Sequence, residues 1–171
     1  MTIDKIAICG DISEMFHSIK IREADMHVQR FLWNETNGET PDVYVMSAMT
    51  FGIRCAPCIA HYVRDKNAES FSSQLPRAAM AIRERHYVDD FIDSVDSEKS
   101  AIELALQVKK IHFEGGFQIR NWTSNSTKIL EALKTERPEQ ITFSLSQNEK
   151  VLGMYWDSYK DNFKYIAGSQ G

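Results

Sequence analysis

The stretch His86-Tyr87-Val88-Asp89-Asp90-Phe91-Ile92-Asp93-Ser94 sets two adjacent acids between apolar β-formers. It folds most simply as a tight hairpin with the acids at its turn, which makes an antiparallel sheet the centre of the fold. Far upstream, Lys5-Ile-Ala-Ile-Cys-Gly10-Asp11 is a short, partly β-branched apolar run that stops at a glycine and then an acid, as a buried strand ends at a site. Asp11 is expected at that strand's tip. If the strand neighbours the hairpin, Asp11, Asp89 and Asp90 converge. Like charges held together cost several kcal/mol unless cations neutralise them, and oxygen donors of this kind suit Mg²⁺. Two such ions about 4 Å apart would activate an attacking oxygen and stabilise a leaving one, the requirement of phosphoryl or nucleotidyl transfer. On spacing alone a plainer reading stands beside this one: Asp-Asp as turn chemistry and Asp11 as a helix cap.

Working outward, a bent or helical stretch through Met15 and Phe16 leads to two strand-like runs, Val28 to Trp33 and Val43 to Met46. They flank a polar link with Asn37-Gly38 at its centre, the pattern of a hairpin loop. Ile53 to Phe71 has helical spacing, with Pro57 tolerable in its first turn. Gln74-Leu75-Pro76 breaks the chain before a short helix. After the acidic hairpin, Ala101, Leu104, Ala105, Val108 and Ile111 recur at helical spacing, with Asp96 or Ser97 to cap the start and Gly115-Gly116 to end it. A strand (Phe117 to Arg120), a helix after Ser124 or Ser126, a surface loop at Lys134 to Gln140 and closing strands (Lys150 to Trp156, Asn162 to Ile166) complete an α+β pattern. The expected fold is an antiparallel sheet with helices packed on one face.

The chain has 171 residues, 43% of them hydrophobic and 11% aromatic, enough for one compact core and too little low complexity for a disordered chain. Lys plus Arg is 20 against 24 Asp plus Glu, so 20 minus 24 gives a net charge of −4, and the strong basic field of a free-standing nucleic-acid binder is missing. No apolar run approaches the roughly 20 residues of a membrane span, and the first ten residues are no signal peptide, so an intracellular, cytoplasmic protein without a membrane partner is expected. Three cysteines, Cys9, Cys55 and Cys58, do not make a secreted disulfide framework. Cys55-Ala-Pro-Cys58 has the spacing of a redox pair at a helix start, and His61 extends it to a partial zinc pattern, but structural thiols are the reading preferred here. His17, His27, His86 and His112 have no ligand spacing. Arg83 and Arg85 could approach a phosphate or simply face solvent.

Five motifs in order resemble the palm of a reverse transcriptase, most closely that of BEL/Pao-type LTR retrotransposons. Gly10-Asp11-Ile12-Ser13-Glu14-Met15-Phe16 resembles the first palm motif, with a leading aspartate and an aromatic five residues on. Met49-Thr-Phe-Gly-Ile-Arg-Cys-Ala-Pro57 resembles the second, and Tyr87-Val88-Asp89-Asp90 matches the Tyr-x-Asp-Asp tetrapeptide of the third. Gly115-Gly-Phe-Gln-Ile-Arg-Asn-Trp122 and Val151-Leu-Gly-Met-Tyr-Trp156 resemble the fourth and fifth. The similarity covers nearly the whole chain.

The resemblance implies a ferredoxin-like palm carrying out RNA- or DNA-templated DNA synthesis, with two Mg²⁺ ions for which Mn²⁺ can substitute. It makes Asp11 and Asp89 the principal metal ligands, Asp90 the third carboxylate, and the Ile12 carbonyl a backbone ligand. Phe16 would lie beneath the incoming sugar, Phe51 and Gly52 beside the nucleotide, Tyr87 and Val88 near the primer end, and Leu152-Gly153 at the turn that grips the primer. The partners implied are a primed RNA or DNA template, deoxynucleoside triphosphates and the remainder of a polyprotein, within element-derived particles. Residues 1–171 are then expected to be a partial reverse transcriptase domain lacking the N-terminal part of the fingers, the thumb, RNase H and integrase, and inactive in isolation. Many relatives carry a lysine soon after the fourth motif's glycine; here Arg120 is the nearest base, so no proton donor to pyrophosphate is assigned. The competing readings are a non-catalytic transposon-derived remnant, a domesticated binding module, or a thiol oxidoreductase using Cys55 and Cys58.

Overall fold

The structure is a computed structural model, and it describes residues 5–34, 40–135, 149–151, 154–157 and 162–164, with side chains described as far as 133. The chain runs through β1 (Ile6–Ser13), α1 (Glu23–Met26), a 3-10 turn (His27–Gln29), β2 (Arg30–Trp33), β3 (Asp42–Val45), α2 (Ala56–Ser70), α3 (Pro76–Glu84), β4 (His86–Tyr87) and β5 (Asp90–Val95). It continues through α4 (Glu98–Glu114), β6 (Gln118–Ser124), α5 (Thr127–Thr135), β7 (Glu149–Val151), β8 (Met154–Asp157) and β9 (Asn162–Lys164). Mixed helix and sheet was legible from the pattern, and the described residues hold a four-stranded antiparallel sheet and five helices. No helix among them is long and apolar enough to cross a membrane. The chain divides into two compact units, one of residues 1–13 and 64–171, the other of residues 14–63.

The first unit is built on the sheet, in the order β4-β5-β1-β6. Strand alternation sends Ile8 and Phe91 into the main core, where they meet Ala78 and Ile82 of α3, Ala101, Leu104, Ala105, Val108 and Ile111 of α4, and Ile129 and Leu133 of α5. All five α4 positions recognised by their spacing are buried. The Ser97 hydroxyl caps α4 by accepting from the Ser100 amide at 3.2 Å. At its other end Asn67 of α2 donates to the Ile111 carbonyl at 2.7 Å, and a Cβ at Gly115 would run into that Asn67 side chain. A small second cluster of Cys9, Ala7 and Ile92 lies on the opposite face of the sheet.

Three expectations need correction. Asp11 is not at the tip of β1: the strand runs two residues further, because Ile12 and Ser13 pair with Ile119 and Gln118 of β6. β6 is likewise longer than the expected Phe117–Arg120, a bulge carrying it on to Ser124. The closing run Lys150 to Trp156 is two strands, with Val151 paired to Met154 across Leu152 and Gly153, which themselves lie outside the described residues, as do Asn37 and Gly38.

In the second unit β2 and β3 form the expected hairpin, with Trp33 opposite Asp42 and Arg30 opposite Val45. The buried Gln29 side chain accepts from the Thr50 amide at 3.1 Å and its hydroxyl at 2.9 Å. Pro57 falls in the first turn of α2, where its missing N–H costs no hydrogen bond.

Candidate functional site

In an antiparallel ladder, residues directly opposite project from the same face. β1 and β5 pair Cys9 with Ile92 and Asp11 with Asp90, so two carboxylates stand side by side beyond the Cys9 cluster. Asp89 completes the acidic group from the turn between β4 and β5, exposed where Asp11 and Asp90 are half-buried. The Ile12 amide donates to the Asp89 carbonyl at 2.9 Å, tying the turn to β1. The antiparallel register thus puts Asp11 and Asp90 on one face of the sheet, and the β4–β5 turn sets Asp89 near enough to Asp11 to act on its carboxyl.

The turn itself is strained. His86 pairs with Phe91 and Tyr87 with Asp90, leaving Val88 and Asp89 as a two-residue loop. Val88 has φ 56°, a left-handed conformation that a β-branched residue adopts only under constraint. A two-residue hairpin loop itself asks for positive φ at its first residue, and the buried Arg64 of α2 donates from Nη1 to the Val88 carbonyl at 3.2 Å. The same guanidinium donates from Nε and Nη2 to Asp65 at 2.9 and 2.8 Å. Beside it, the Nε2 atoms of His86 and the fully buried His112 are 3.1 Å apart, one ring donating and the other accepting. Burial, and then the Arg64 charge, push His112 down to about 3.

A second irregularity serves Asp11. Between the pairs Cys9–Thr123 and Asp11–Arg120, β6 contains one more residue than β1, a bulge, and Asn121 there has φ 50°. Asparagine tolerates that conformation better than most residues, and bulges of this kind re-aim side chains. Here the Asn121 Nδ2 donates to Asp11 Oδ2 at 3.2 Å. Burial raises the Asp11 carboxyl above its ordinary range, the Asn121 hydrogen bond pulls it down, Asp89 adds to the rise and Arg120 offsets it. Cys9, on the same face, is pushed up to about 12 by burial and then by Asp90.

Among the described residues no three His, Cys, Asp or Glu side chains close on one point as a preformed metal site. Asp11 and Asp90 on one face, with Asp89 in the adjoining turn, would offer hard oxygen donors of the kind a divalent cation takes. No protein-family model matches the chain, and no curated protein matches it either.

The remaining candidates are distributed as follows. Tyr87 is exposed beside the acids, and Ile12 is buried, its amide already engaged. Phe16 is 8% exposed and meets the ring of Phe51, itself 67% exposed, edge-to-face at 4.9 Å; both belong to the second unit, as does Gly52 at φ 86°. Leu152 and Gly153 are outside the described residues. Arg85 turns toward the buried Asp93, 3.8 Å away, which Arg77 also contacts at 2.6 Å. Sequence reasoning missed Arg64, Asn121 and the His86–His112 pair. The one legible signal was a polar Asn121 interrupting an otherwise strand-like run.

Proposed function

We propose that this chain is a polymerase palm of the reverse transcriptase type, similar to those of BEL/Pao-type LTR retrotransposons, that extends a primer on an RNA or DNA template. The observation that carries this reading is the register that sets Asp11 opposite Asp90, with Asp89 on the strained turn between β4 and β5. Acids of like charge placed near one another, and a valine held at positive φ beside them, both cost the fold stability, which supports a functional use for them. The five ordered motifs supply the substrate class.

Asp11, Asp89 and Asp90 would hold the two Mg²⁺ ions, with the Ile12 carbonyl as an additional donor. When bound, the ions would stabilise the attacking primer 3′-hydroxyl and the departing pyrophosphate. The chain's own task is positioning: Arg64 fixes the turn that carries Asp89, and Asn121 orients Asp11 while leaving an oxygen for a cation. Phe16 would lie under the sugar, with Phe51 and Gly52 beside the nucleotide and Tyr87 and Val88 at the primer end. Leu152 and Gly153 would grip the primer. With a net charge of −4 the chain needs basic contacts from elsewhere in a polyprotein to hold a duplex.

Primer extension on a primed poly-A template with Mg²⁺ and deoxynucleotide tests this, comparing the chain alone with the chain in its parent polyprotein. Extension in the polyprotein that vanishes with Asp89→Asn is the expected result. Absence of extension in both forms would favour the non-catalytic reading.

A further inference from the structure

We propose that Cys55 and Cys58 form a dithiol site that closes reversibly to an intramolecular disulfide by exchange with low-molecular-weight disulfides. Structural thiols are the sequence expectation for this pair; Cys55 and Cys58 are free and exposed, while Cys9 is free and buried, so the pair is open to chemistry that Cys9 is not. A thiol kept for packing is among the most buried of side chains. In α2, Ala56 and Ala60 are buried, while Cys55, Cys58, Ile59 and Tyr62 are exposed along one stripe.

The span between the two is set by the backbone. The Cys55 carbonyl accepts from the Ile59 amide at 3.0 Å, the first intrahelical bond of α2, so Cys55 is the N-cap and Cys58 the third helical residue. The separation of Cα atoms three residues apart depends only on the dihedrals of the two residues between them, and Ala56 and Pro57 are both helical. Helical dihedrals place such Cα atoms about 5 Å apart, within the range of roughly 4.4 to 6.8 Å that disulfides bridge. Pro57 locks its own φ at the helical value, which holds that span in the reduced form. An N-cap side chain leans over the first turn toward the third helical residue, the same geometry that lets a capping side chain reach that residue's amide. Closure therefore needs side-chain rotation and no helix unwinding.

The exchange balances with glutathione disulfide as oxidant. One protein thiolate attacks a glutathione sulfur, forming a mixed disulfide and releasing one glutathione thiolate. The second protein thiolate then attacks the protein sulfur of that mixed disulfide and expels the second glutathione. Two electrons pass from the cysteine pair to the glutathione disulfide, and the protons of the two cysteine thiols end on two glutathiones.

The test is intact-mass and peptide-mapping analysis of the full chain equilibrated with oxidised glutathione, with far-UV circular dichroism to confirm that each form is folded. The wild type should lose two hydrogens, map to a Cys55–Cys58 crosslink, retain almost no glutathione and return to thiols in excess reduced glutathione. Cys55→Ser and Cys58→Ser should each instead hold a glutathione adduct, at a level about tenfold or more above the wild type, since the intramolecular thiol that would displace it is gone. Cys9→Ser should close like the wild type. A wild type that keeps the adduct as the single variants do, that stays fully reduced, or that crosslinks through Cys9 would overturn the proposal.

Discussion

Asp11 and Asp90 are direct partners in the antiparallel pairing of β1 and β5, two acids facing each other on one face of the sheet. Like charges so placed oppose folding. The sheet tolerates them because Asn121 donates to Asp11 and because the far face carries the main core.

Replacing one acid should therefore stabilise the metal-free protein. Asp11→Asn is expected to gain about 0.2–1 kcal/mol at neutral pH in urea denaturation. Burial first, with Asp89 adding to it, raises the Asp11 carboxyl above its ordinary 3.8. A raised carboxyl favours the fold below the unfolded value and loses that contribution as pH rises through the folded one. The advantage of the asparagine should accordingly vanish below about pH 3.8. In the same variant the rise in melting temperature expected of the wild type with millimolar Mg²⁺ or Mn²⁺ should be lost. A wild type blind to metal would count against the carboxylate site.

Val88 stores strain. At φ 56° a glycine pays no Cβ penalty, so Val88→Gly should stabilise the fold by about 1 kcal/mol. Equilibrium unfolding checks this, and a loss of stability would mean that the valine side chain contributes more than its backbone costs.

Arg64→Met should leave the Val88 carbonyl without its donor and cost about 1–3 kcal/mol. Arg64→Lys should recover less than half of that, because an ammonium cannot span Asp65 and Val88 with a planar fork. Amide exchange at Ile12, whose N–H bonds the Asp89 carbonyl, should quicken in both variants. Unchanged protection there would separate Arg64 from the turn.

His112 resists protonation in the fold, being pushed down to about 3 from 6.5 by burial and then by Arg64. Its contribution is complete above the unfolded value and is lost as pH falls toward the folded one, at about 1.4 kcal/mol per pH unit. Stability measured by urea at successive pH values between 6.5 and about 3 should fall, and His112→Gln should flatten that slope. An identical slope in the variant would assign the acid sensitivity to other groups.

Phe16→Val tests the nucleotide reading in the parent polyprotein. Removing bulk beneath the sugar should raise ribonucleotide incorporation relative to deoxyribonucleotide. If Phe16 only packs against Phe51, discrimination will stay the same while stability falls.

The sequence alone determined those features whose causes are local. The α4 stripe, a cap at Asp96 or Ser97, its end at Gly115-Gly116, and a short helix after the break at Pro76 all follow from spacing and capping within a few residues, the structure choosing Ser97 as the cap. The acidic hairpin was legible for the same reason, since apolar β-formers flank a two-residue turn. Only the tertiary structure decided what depends on register between distant strands. Asn121 reaches Asp11 across a separation of 110 residues because a bulge in β6 turns it there, and no local pattern announces a bulge. Arg64 sits in α2 among residues that read as an ordinary helix, and its role depends on a carbonyl 24 residues away that a strained φ presents to it. Asp11 lies within β1 rather than at its tip because β6 pairs beyond it. Local propensity is set by side-chain sterics and neighbouring hydrogen bonds, whereas a register is set by which strands the hydrophobic core draws together.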